Sequence, residues 1–176
     1  MDDADSINLA LLVLRSGIGV VMLAHGINHI FGGGKIAGTG RWFASLGMKP
    51  GILHAWLASL TEIGGGGLLV LGLLTPLGGA AVVGVMLVAL VTNHRGNGFF
   101  IFRPGEGWEY VATLTIVGFA IAVVGPGAWS VDRALGIDDD LMGTTGLLIA
   151  LLAGVGSAAA LLAAAWRPEK QPAVSA

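Results

Sequence analysis

Five apolar runs separated by short polar stretches set the pattern of this chain: residues 7–30, 53–74, 76–92, 110–128 and 141–166. Each is close to the roughly 20 residues that a helix needs to cross a hydrocarbon layer. The first is broken only by Arg15, His25, Asn28 and His29, and the second carries Glu62 as its one charge. The third is short and uncharged, and the fifth contains no ionisable group. Thr75-Pro76 reads as an N-cap followed by proline at the first helical position, which makes runs two and three a tight hairpin. Gly125-Pro126-Gly127 stops run four. Trp56, Trp108, Tyr110, Trp129 and Trp166 fall near run ends, where aromatic rings favour the headgroup zone. The pattern predicts an all-α, polytopic membrane bundle with five spans.

Two connecting segments are more than loops. Residues 31–47 read as a glycine turn followed by a short amphipathic stretch in the interface. Gly32-Gly33-Gly34-Lys35 lacks the spacing of a phosphate-binding loop and has no strand before it. Residues 93–110 mix three Phe, a Trp and a Tyr with glycines and charges, and read as an interfacial or re-entrant lid.

Composition narrows the classes. With 9 Lys+Arg and 11 Asp+Glu the chain is 11% charged, against about 25% for a soluble domain. That is too little charge to cover a soluble core. A hydrophobic content of 55% excludes intrinsic disorder, and 30 glycines without a three-residue period exclude a collagen-like chain. A net charge of −2 offers no field for nucleic acid. Cysteine is absent, which removes thiol catalysis, disulfides and Cys-held iron–sulfur or zinc centres. The acidic start, Met1-Asp2-Asp3-Ala4-Asp5, does not read as a signal peptide, which begins positive.

Lys/Arg distribution sets the expected orientation. With the N-terminus outside and the C-terminus inside, the inner segments hold Lys35, Arg41, Lys49, Arg95, Arg103, Arg167 and Lys170, and the outer ones hold only Arg133. Gly64-Gly65-Gly66-Gly67, Gly78, Gly79 and Gly84 lie inside apolar runs, where small residues permit close helix packing.

Charges inside hydrocarbon cost several kcal/mol, about 3 or more on insertion scales, so Arg15 and Glu62 draw attention. Counted from the run ends, both fall about 12–14 Å deep, which predicts an intramembrane pair on adjacent antiparallel helices. Such a pair either fixes helix register or forms a polar site for a quinone headgroup, a proton or a small substrate. His25 and His29 share a helix face, one turn apart. With His54 and His94 they fall at one membrane face, near Glu106 and Glu109. This cluster offers headgroup contacts or proton exchange. Metal binding at His25 and His29, and haem ligation, are weaker readings of the same residues.

The ordered set of motifs resembles the DoxX family. Arg15 is followed by His25-Gly26, then by Phe43 and Leu46-Gly47. Glu62-Ile63-Gly64-Gly65 leads to Leu71-Gly72-Leu73-Leu74-Thr75-Pro76, then His94 with Asn97-Gly98-Phe99, then Gly107 and Glu109. Gly125-Pro126-Gly127 and Ser130-Val131-Asp132 close a similarity covering about residues 11–136. The resemblance implies a four-helix bundle over residues 1–136. Residues 137–176 are then an additional transmembrane helix with a short cytoplasmic tail. It also implies a bacterial inner (plasma) membrane location and association with redox complexes. One related branch supplies the membrane part of a thiosulfate:quinone oxidoreductase, and some actinobacterial relatives are linked to a membrane oxidoreductase complex.

The function that follows is a membrane subunit of a quinone-linked redox complex, embedded in lipid beside protein partners, with its polar site near Arg15 and Glu62. His25, His29, His94, Asn97 and Glu109 are the headgroup candidates. The alternative is a non-catalytic anchor or accessory subunit that docks a larger respiratory or cell-envelope complex. A small-solute or proton transporter ranks below both, because Glu62 is the one fully intramembrane acid.

Overall fold

The structure, a computed structural model, describes residues 2–168. Its helices are α1 (Asp3–Phe31), α2 (Lys35–Ser45), α3 (Gly51–Leu71), α4 (Thr75–Ala89), α5 (Glu109–Val124), α6 (Val131–Leu135), α7 (Asp138–Leu141), α8 (Thr144–Ile149) and α9 (Ser157–Ala165). A π-helical turn, Leu90–His94, extends α4, and a second, Ala150–Gly156, joins α8 to α9 into one continuous C-terminal helix. All five apolar runs are therefore helical. Asp3–Phe31, Thr75–His94 and Thr144–Ala165 are long and apolar enough to cross a membrane. The amphipathic stretch after the first run is α2. Lys170, counted in the orientation argument, lies outside the described residues.

Helix α1 packs along α3, α3 along α4, and α4 is covered on its other sides by α5 and the C-terminal helix. Backbone proximity explains these pairings. A Cβ on Gly19 would stand 2.7 Å from the Gly66 carbonyl oxygen, and one on Gly66 would stand 2.6 Å from that of Gly19. Gly79 and Gly118 make the same reciprocal approach between α4 and α5, at 2.6 and 3.0 Å. Within the Gly64–Gly67 run only Gly65 and Gly66 are used in this way; Gly64 and Gly67 face open space. Met22, Leu69, Val82, Met86, Val111, Leu114 and Ile121 form the core between these four helices. Ile7, Val13, Val20, Leu60, Ile116 and Leu152 are well exposed on the outer faces. In lipid that is the favoured arrangement, because the surrounding solvent is itself apolar.

Three local expectations are corrected. The fourth apolar run ends as a helix at Val124, at the expected Gly125-Pro126-Gly127 stop where Gly125 turns the chain at φ 86°, so residues 125–128 are not part of it. The segment that follows coils into α6 and α7, so the last helix begins at Thr144 rather than at residue 141. Thr75 is not the N-cap of α4. Leu74 holds that position, and the capping acceptor is the buried Asp132 on α6. Asp132 Oδ1 accepts from Leu74 N at 2.7 Å, while Oδ2 accepts from Thr75 N at 3.0 Å and Thr75 Oγ1 at 2.8 Å. The threonine hydroxyl thus donates outward instead of accepting from its own helix. Asp132→Ala orphans three donors at once and is expected to lower stability by about 2 kcal/mol or more. Thermal unfolding in detergent measures the loss.

Candidate functional site

The two charges expected to pair lie at opposite ends of the bundle. Gly26 of α1 packs against Ser59, Glu62 and Ile63 of α3, whereas Arg15 meets the far end of α3 at Leu69–Gly72. Eleven residues of α1 separate the two levels, about 16 Å. The expected Arg15–Glu62 pair does not form. Depth counted from each helix end ignored the stagger that the glycine contacts impose.

Arg15, 2% exposed, is consumed by main-chain carbonyls. Its Nη1 donates to Leu69 O and Val70 O at 2.8 and 2.7 Å, its Nε to Pro126 O at 3.2 Å, and its Nη2 to Trp129 O. These oxygens are the spare acceptors at the end of α3 and in the α5–α6 turn. The guanidinium is a structural clamp, with the Asp132 carboxylate as its electrostatic counterpart. Gly72, at φ 64°, is the close-approach point, since a Cβ there would stand 2.8 Å from Arg15 Cζ.

Glu62 belongs to the other end. Its Oε2 lies 2.9 Å from His29 Nδ1, with the carboxylate side chain 4% exposed and the imidazole 17%. The contact is out of line for a hydrogen bond, and neither atom has another hydrogen-bond partner among the described residues. His54 Nδ1 is likewise buried without a hydrogen-bond partner, while its Nε2 lies 3.4 Å from Lys49 O. His29, Glu62 and His54 are among the residues that line a cavity of about 510 Å³, within the range of small-molecule sites. Burying a polar atom without a hydrogen bond costs about 1–3 kcal/mol; His29 Nδ1 and Glu62 Oε2 have each other at 2.9 Å, and His54 Nδ1 has no hydrogen-bond partner among the described residues.

Every helix at this end contributes. The cavity takes His25 and His29 from α1, Trp42 and Phe43 from α2, and His54 and Glu62 from α3. His94 comes from the π turn after α4, Tyr110 from α5, and Ser157 from α9. Aromatic rings flank the His29 imidazole: Phe43 edge-on at 6.2 Å and Trp42 tilted at 6.5 Å between centroids. The His25 ring is 6.4 Å from that of Tyr110. His94 Nδ1 bonds Glu106 O at 2.9 Å, which ties the 95–108 loop to the cavity mouth. Single π turns recur at functional sites, and both π turns among the described residues contribute to the cavity lining.

Two headgroup candidates lie elsewhere. Asn97 Nδ2 donates to the carbonyls of Asn93, Gly105 and Glu106, closing the loop upon itself. Glu109 Oε2 accepts from Ile101 N at 3.2 Å and organises the same loop. Sequence reasoning also did not foresee Tyr110, Trp42 and Ser157 as cavity residues. The i, i+4 spacing of His25 and His29, continued toward Trp42-Phe43, was the available signal. Among the described residues, no group of three or more His, Asp or Glu is arranged to hold a metal ion.

Comparison with known proteins gives one assignment. The DoxX family model matches residues 10–95. That stretch holds most of α1, all of α2 to α4 and the first π turn, and therefore Arg15, His25, His29, His54, Glu62 and His94. No curated protein and no solved structure matches the chain.

Proposed function

We propose that this chain, a membrane protein with a DoxX domain over residues 10–95, serves as the quinone-binding membrane subunit of a redox complex, with the headgroup held in the His29–Glu62 cavity. The observation that carries this reading is the buried His29–Glu62 contact, flanked by the Trp42 and Phe43 rings, at a cavity that His25, His54 and His94 also line. A quinone ring is flat, is bordered by two carbonyl oxygens, and takes up two protons when two electrons reduce it to the quinol. Aromatic edges suit its faces, and imidazole N–H groups suit its carbonyls. An imidazole beside a carboxylate can pass a proton to a quinone oxygen and be recharged from the mouth. Electrons come from a partner oxidoreductase, since a chain without cysteine has no thiol to carry them. The basic bias of the connecting segments supports an N-terminus outside, and the cavity end of the bundle then faces the inner leaflet.

The polar centre in this reading is His29–Glu62, and Arg15 holds the opposite end together. Protein purified in mild detergent is expected to retain quinone, measured by mass spectrometry of an organic extract. His29→Ala is expected to retain less than about a tenth as much. Absence of quinone from the wild type, with no uptake of added quinone, would overturn the proposal.

A further inference from the structure

The cavity has a side that no helix closes. Its lining includes Leu57 and Thr61 of α3 together with Ala153, Ser157 and Leu161 of the C-terminal helix. Yet α3 and the C-terminal helix share no packed interface, because each packs separately on α4. Gly84 and Gly154 bring α4 and the C-terminal helix close, with a Cβ on Gly84 only 3.3 Å from Gly154 O. Behind the gap, α4 therefore forms a continuous floor of small and β-branched side chains, Ala81, Gly84, Val85 and Val88. Both lips are solvent-exposed in the isolated chain, at Leu57 and Thr61 on one side and Ala153 and Ser157 on the other.

The inner end of the gap is tied shut. Trp166 Nε1 donates to Leu46 O at 3.0 Å, Arg167 N to Gly47 O at 2.8 Å, and Lys49 N to Ala165 O at 3.4 Å. Arg95 sits over the Trp166 ring, 5.2 Å from its centroid. Below the opening, then, the C-terminal helix is laced to the α2–α3 connection. Ser157 is eight residues above Ala165, about 12 Å into the apolar zone.

We propose that the gap between α3 and the C-terminal helix is a lateral portal, through which a quinone with a hydrocarbon tail enters from the bilayer and in which its tail stays. This rests on the quinone reading of the cavity and adds the route and the ligand class. The ring goes to His29, Glu62 and His54, and the tail leaves over the Ala81–Val88 floor into lipid. The C-terminal helix, which lies beyond residues 10–95, thereby gains a role as one lip of the portal. Ser157 spends its hydrogen on Ala153 O and Gly154 O, so its side chain offers the tail no donor.

The test compares two rings by equilibrium binding to the full chain in lipid nanodiscs: decylubiquinone, with a tail, and the same ring without one. Ala153→Trp on one lip and Thr61→Trp on the other place an indole in the gap. Leu152→Trp, on the lipid-facing side and 73% exposed, is the control. Each lip variant is expected to weaken the tailed ring by at least about tenfold and the tailless ring by less than about twofold, with the control unchanged. Unchanged binding of the tailed ring in both lip variants overturns the portal and leaves the ring site standing. Equal loss of both rings also overturns it, because the indole then acts on the ring site. Failure of the wild type to bind either ring overturns the cavity reading and the portal together.

Discussion

Arg15→Met is expected to be the most damaging single change in the bundle, lowering stability by about 3–5 kcal/mol. The side chain is 2% exposed, and its loss takes a donor from the carbonyls of Leu69, Val70, Pro126 and Trp129 in one step, of which Leu69 O keeps Gly72 N at 3.2 Å. Asp132 simultaneously loses its electrostatic counterpart while still capping α4. Methionine fills similar volume, so a large effect reports lost hydrogen bonds rather than a cavity. Arg15→Lys is expected to recover only part of the stability, since one ammonium cannot reach acceptors spread along two connections. Thermal unfolding in detergent, followed by circular dichroism, separates the three proteins. Because this clamp is at the end of the bundle away from His29, the portion of either variant that folds is expected to bind quinone normally.

Glu62→Gln is expected to have the converse profile. The amide is nearly isosteric, and Gly26 and Ile63 around it are undisturbed, so the unfolding temperature is expected to change little. The carboxylate charge that faces the His29 imidazole at 2.9 Å is gone, however. Loss of that charge beside the guest is expected to lower quinone affinity or turnover by roughly tenfold. Turnover of the assembled complex with unchanged subunit content is the measurement. Unaltered turnover in Glu62→Gln would remove the His29–Glu62 pair from the chemistry.

The five apolar runs were legible as helices because hydropathy and length survive without tertiary information; among the described residues, Asp3–Phe31, Thr75–His94 and Thr144–Ala165 are the ones long and apolar enough to span. The glycine turn before α2 and the stop at Gly125 were legible for the same local reason. Register was not. Arg15 and Glu62 have equal depth when each helix is counted from its own end, but the Gly19–Gly66 and Gly26–Ser59 approaches fix the stagger, and those contacts are properties of pairs. The Asp132 cap was hidden similarly, since its partners Leu74 and Thr75 lie more than fifty residues upstream.

Part of the site was visible. The two α1 histidines one turn apart, His54 and His94 do meet around one cavity. Asn97 and Glu109 do not join them, because a polar side chain in a glycine-rich loop is first taken up by the loop's own backbone groups. The two π turns have no local signature that separates them from α-helix, so the aim of His94 and the line of the C-terminal helix came only from the structure.

Photochemical crosslinking with an azidoquinone, followed by peptide mapping, tests the central claim most directly. Saturable labelling, competed by unmodified quinone, is expected within the cavity set: His25 or His29, Trp42 or Phe43, His54, and the residues around His94, Tyr110 and Ser157. Labelling confined to the Arg15 end, around Leu11, Pro126 or Met142, or labelling that unmodified quinone does not compete, would contradict it.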